Sequence, residues 1–101
     1  MSTFFEFHLF RWYCLIRYLA NACGDTSNSA YDKLFKKNPR ENFIEGKAKV
    51  TDGGVEVIFT CNEGTMKDVD FTVLCYANKK GKLATQLLGS KSEKKAFKKC
   101  K

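Results

Sequence analysis

Histidine is almost missing from this chain, which has only His8. A catalytic thiol needs a neighbouring base, so thiol catalysis has no partner beyond that one side chain. No two cysteines stand close enough in sequence to form half of a zinc site. Arginine is scarce as well, with Arg11, Arg17 and Arg40 the only three. Lysine makes poor bidentate contacts, so an Arg-based reader of nucleic-acid sequence is not expected. Asp68 and Asp70 lie two apart on a strand, a spacing that suits a solvated turn better than an acid–base couple. An enzyme, a metal site and a cofactor are therefore not expected. There is no internal repeat and no linker long enough to divide 101 residues into two domains. The longest apolar run, Phe4 to Ala22, is interrupted by Arg11 and Arg17 and is too short and too charged for a good membrane span.

Cysteine, by contrast, is plentiful, with five in the chain. Small domains bury little core and commonly compensate with disulfides in oxidising compartments. The apolar run ends in Ala20-Asn21-Ala22, a small-x-small site of the kind that closes a secretory signal peptide. Residues 1–22 are thus expected to be a signal peptide and residues 23–101 one small secreted domain. Cleavage there removes Cys14 and leaves Cys23, Cys61, Cys75 and Cys100, an even number. Alternative readings of the run are an uncleaved amphipathic helix, an extra edge strand, or a leader preceding a lipid-modified Cys23, as in bacterial lipoproteins.

The period-two pattern carries the fold. Val55, Val57, Phe59 and Cys61 alternate with polar or outward residues, as do Val69, Phe71, Val73, Cys75 and Ala77, and then Leu83, Thr85 and Leu87. Such alternation marks half-buried strands. A further strand over Phe43 to Thr51 would place Ile44, Ala48 and Val50 on one side, with Gly46 marking a bulge. Thr51-Asp52-Gly53-Gly54 predicts a type I′ hairpin turn. Tyr31, Leu34 and Phe35 at i, i+3 and i+4 predict a covering helix over Ser29–Lys37, capped by Ser27 or Asn28 and stopped by Asn38-Pro39. Lys36 and Lys37 then suit its last turn. Ser90 to Cys100 reads as a second helix capped by Ser92, with Phe97 on a narrow apolar face. The fold class is α+β: an antiparallel β-meander of four to five strands, a short covering helix and a C-terminal helix, stapled by disulfides.

If the hairpin after Cys61 turns near Thr65, Cys61 faces about Val69 and Cys75 faces about Val55, so the two are not cross-strand neighbours. Four cysteines allow three pairings. Cys75 with Cys100, and Cys23 with Cys61, is the preferred one, because it ties both terminal segments to the sheet. Charge is uneven. Lys79 to Lys101 holds nine lysines and one glutamate, whereas Cys23 to Asn78 has seven basic and nine acidic residues. Lys91, Lys94, Lys95 and Lys98 share one helical face, a surface for phosphate, glycosaminoglycan or acidic lipid, or else one that only keeps the protein soluble.

Lys67 to Tyr76, then Lys82 to Leu88, then a lysine-rich helix together resemble the last strands and C-terminal helix of a lipocalin. The resemblance covers about the last third of the chain. It departs from that family in lacking the N-terminal Gly-x-Trp and in having Gly89-Ser90-Lys91 where an arginine commonly follows the last strand. It implies a secreted binding protein, and no ligand-pocket residue carries over, since about five strands do not close an eight-stranded cup. The expected function is a secreted, non-enzymatic, monomeric binding protein for a protein or small molecule, acting as an inhibitor or effector. The alternative is a cationic membrane-active or antimicrobial protein working through its lysine face. Intact mass with and without reduction tests the processing. The expected result is a chain beginning at Cys23 with no free thiol, and a fully reduced chain retaining Met1 would contradict it.

Overall fold

The computed structural model describes residues 19–101. The proposed signal segment therefore lies largely outside the described residues, as do His8 and Cys14. Helical backbone over residues 19–24 (α1) leads into a turn-rich segment, then four strands and a C-terminal helix. The strands are β1 (Phe43–Thr51), β2 (Gly54–Cys61), β3 (Asp70–Ala77) and β4 (Leu83–Leu87), and the helix is α2 (Lys91–Lys98). The sheet has the order β1-β2-β3-β4, and every neighbouring pair is antiparallel. This is the simple meander that short connections produce.

Register follows the alternation. Val55 pairs with Cys75, Val57 with Val73 and Phe59 with Phe71, so inward residues of β2 and β3 lie side by side. All six are buried, together with Cys61. The amide of Cys61 donates to the Val69 carbonyl at 2.9 Å. Val69 itself is 39% exposed, against expectation. The chain passes through a 3₁₀ turn at Gly64–Met66 and a left-handed Asp68 (φ 71°), so the regular pleat starts only at Asp70.

The β1–β2 pairing does slip near Gly46, between Glu45 and Ala48. One extra residue on β1 reverses the facing of everything beyond it. Ile44, opposite Thr60, therefore lies on the outer face, whereas Ala48 and Val50, opposite Val57 and Val55, lie on the inner one. The three do not share a side as expected. The hairpin turn also differs from type I′. Neither Asp52 nor Gly53 has a positive φ, and the unusual residue is Gly54, at φ 145°. A Cβ on Gly54 would collide with the Cys75 carbonyl oxygen.

No continuous helix forms over Ser29–Lys37. A 3₁₀ turn at Ser29–Tyr31, capped by the Asn28 side chain, gives way to turns and bends. About two helical turns have little intrinsic stability, so tertiary contacts decide the path. The Arg40 guanidinium gathers this segment, donating to the Thr26 carbonyl and to Asp32 Oδ1 (2.9 Å) while lying over the Phe35 ring. The apolar triplet still covers the sheet: Tyr31 is fully buried, and Leu34 and Phe35 pack on the core. Phe35, Phe43, Phe59, Phe71 and Phe97 form one aromatic cluster, with Phe43 and Phe97 stacked at 4.8 Å and Phe71 edge-on to Phe97 at 5.3 Å.

Two disulfides close the structure, Cys23–Cys75 and Cys61–Cys100, in place of the expected pairing. The cause is the direction of β4. Leu83 pairs with Ala77 and Leu87 with Val73, so β4 leaves the sheet at the end where Cys61 lies, away from Cys75. α2 then delivers Cys100 to Cys61, and Cys75 at the other end is left for Cys23. That bond uses the sulfur a lipid thioether would need, which removes the lipid-modified reading of Cys23.

Phe71 is only 4% exposed and touches the rings of Phe43 and Phe97, so Phe71→Ala should cost about 3–5 kcal/mol in denaturant unfolding. The Tyr31 hydroxyl is buried and donates to the Cys23 carbonyl at 2.6 Å. Burial, reinforced by the Glu45 charge and opposed by Arg40, pushes its pKa from 10.0 up to about 12. Its proton is therefore held more tightly in the folded state than in the unfolded chain. The stabilisation is complete below pH 10 and is lost as pH rises toward about 12. Urea unfolding across that window should show a steeper decline for the parent than for Tyr31→Phe, and parallel curves would refute the assignment.

Candidate anion-binding cleft

α2 begins where Ser90 closes a capping box. Its hydroxyl accepts from the Glu93 amide at 3.3 Å, and the Ser90 amide donates to Glu93 Oε1 at 3.4 Å. The cap is thus Ser90 rather than Ser92. Along α2 the only buried residue is Phe97, which enters the aromatic cluster and sets the rotation of the helix. At about 100° per residue, Lys94 and Lys98 sit roughly 60° and 100° from Phe97 around the axis, and Lys91 and Lys95 about 120° and 160° away. The four lysines thus lie within one arc of about 100°, the shared face expected, with Lys94 and Lys98 at its edge nearer Phe97. Lys94 and Lys98 line a cleft, while Lys91 and Lys95 are exposed outside it.

The opposite wall is the turn-rich segment 33–38, and the cleft between it, β4 and α2 has a volume of about 490 Å³. Lys33, Lys36 and Lys37 stand on that wall, exposed. Between the walls lie half-buried Leu34 and Leu87 and buried Phe97. Five ammonium groups therefore surround an apolar floor, and no carboxylate is among the lining residues. Among the described residues none of the five forms an ion pair, the recorded pair being Arg40 with Asp32. Like charges gathered on a concave wall raise the local positive potential and concentrate anions. Lysine presents a compact charge with rotatable donors, which suits carboxylate, sulfate or phosphate without demanding a fixed fork geometry.

Asn38 fixes the spacing of the walls. It is 2% exposed, and its side-chain amide donates to the Phe97 carbonyl at 2.8 Å and the Cys100 carbonyl at 3.1 Å. The Phe97 carbonyl, near the C-terminal end of α2, also accepts from the Cys100 amide at 3.3 Å, and the Cys100 carbonyl lies just past the helix. Asn42 adds a longer contact to the Cys100 carbonyl, 3.4 Å. Thr85, on the β4 side, donates its hydroxyl to the Ala30 carbonyl at 2.7 Å and so holds the covering segment to the sheet.

Sequence reading singled out both helical lysines now in the cleft, Lys94 and Lys98, together with Lys91 and Lys95 outside it, and missed its other wall. Lys36 and Lys37 were explicable as helix-end charges, and the net acidity of the stretch from Cys23 to Asn78 hid them. The available signal was three lysines within five residues around Leu34. Asn38 read only as a helix stop. Among the described residues there is no group of three or more metal-ligating side chains, and no helix long and apolar enough to cross a membrane. Comparison with protein-family models, with curated proteins and with solved structures finds no match, so the cleft is interpreted from its own residues.

Proposed function

We propose that this chain is a secreted, non-enzymatic binding protein that holds an acidic ligand in the lysine-rimmed cleft. One observation carries the reading: lysines from two segments far apart in sequence converge on a single concavity with no carboxylate in its lining. The two disulfides support the secretory half of the proposal, since such bonds persist in oxidising compartments. A membrane-active role through α2 has less support. Insertion needs an apolar helix face, and Phe97, which would lead it, is buried against Phe43 and Phe71.

The test compares two variants of equal charge. K94Q/K98Q removes two cleft lysines, and K91Q/K95Q removes two from the same helix outside the cleft. Titration with a heparin hexasaccharide, followed by amide shifts, should perturb residues 33–38 and 94–98. K94Q/K98Q should bind roughly 2- to 30-fold more weakly, two exposed ion pairs' worth, and more weakly than K91Q/K95Q, which should stay close to the parent. The parent's affinity should also fall with added salt. Equal loss in both variants would show that net charge, and not the cleft, does the binding.

A further inference from the structure

The cleft combines two features that a purely ionic site does not need together. Its rim is cationic, but its lining between the lysines is largely apolar: Leu34, Leu87 and Phe97, beside Asn38, Thr85 and Gln86. Leu34 and Leu87 are only partly buried, so both keep apolar surface in contact with water. A sulfated sugar spanning the lysines would leave that surface wet. A bilayer would meet the exposed lysines before the recessed floor. A single molecule with an acidic head and an apolar body satisfies both parts, its head among the ammonium groups and its body on the leucines. The volume, about 490 Å³, lies within the range of about 300–1,000 Å³ usual for small-molecule sites.

Resting on the reading of the cleft as an acidic-ligand site, we infer that its ligand is a monomeric anionic amphiphile: one carboxylate, sulfate or phosphate head on a short alkyl or aryl body. The lysine rim recognises the head by charge, and the length of the body sets the affinity. The floor gains by removing Leu34 and Leu87 from water, which is non-directional, so the cleft tolerates different apolar shapes of similar size.

The experiment uses the disulfide-bonded protein with sodium hexyl, octyl and decyl sulfate, each kept below its self-association concentration. Inorganic sulfate, the heparin hexasaccharide and vesicles of anionic phospholipid serve as the other arms. The expected result is one-to-one binding with amide shifts at residues 33–38, 85–87 and 94–98. Affinity should rise about fourfold per added pair of methylenes, the gain for half-burying them. K94Q/K98Q should weaken every alkyl sulfate by a similar factor. Leu87→Gln should flatten the dependence of alkyl sulfate affinity on chain length. Leu34→Gln serves the same purpose should Leu87→Gln fail to fold. If the hexasaccharide binds at the cleft but alkyl sulfates bind no better than inorganic sulfate, the amphiphile is ruled out and the acidic-ligand reading stands. If neither binds there, both fall. Chain-length dependence that survives both the lysine and the leucine variants would place the apolar contact elsewhere and overturn the inference. So would binding to vesicles alone.

Discussion

The Cys61–Cys100 bond joins the last residue of β2 to the segment just beyond α2, and the arrangement of the inner face depends on it. α2 makes few contacts of its own, with one buried side chain in eight residues. Isolated, so short a helix would be marginal in water. Tethered, it keeps Phe97 stacked on Phe43 and keeps its terminal carbonyls within reach of Asn38. The bond closes a separation of 39 residues and Cys23–Cys75 one of 52, and by loop closure alone each is worth about 4 kcal/mol. For a domain with so small a core, that is comparable to the whole stability usually available.

The same tether makes the cleft. Five lysines placed close together repel one another, and a flexible chain would let them spread. Here the two walls are fixed independently: the helical wall by the disulfide and Phe97, the other by Arg40, Thr85 and Asn38. The charges are thus gathered before any ligand arrives, so little conformational freedom has to be lost on binding. The lysine side chains stay solvated at the rim, which keeps the cost of gathering them low.

Packing against a four-stranded sheet has been achieved without a proper covering helix. Tyr31, Leu34 and Phe35 keep the spacing of a helical face, yet the backbone holds that spacing for only about one turn. What matters to the core is the placement of three side chains, and hydrogen bonds from Arg40 and Thr85 supply the order that a longer helix would have supplied.

Local chemistry by itself determined much of this protein. Alternation of side chains decides which residues of β2 and β3 face inward, and the short connection decides their register, so Cys75 opposite Val55 and Cys61 opposite Val69 were readable from the chain. The disturbance at Gly46 was readable too, but its consequence for Ala48 and Val50 was not, because a bulge announces its position and leaves its parity to the partner strand. Tertiary structure alone decided the disulfide pairing, since β4 chooses the end of the sheet from which the chain departs. It alone set Lys94 and Lys98, of the four lysines on that helical face, against the cleft, because the burial of Phe97 sets the rotation of α2. And it alone brought Lys33, Lys36 and Lys37 across from Lys94 and Lys98. Periodicity is a property of neighbours along the chain, whereas a site made from residues some 60 positions apart exists only once packing has brought them together.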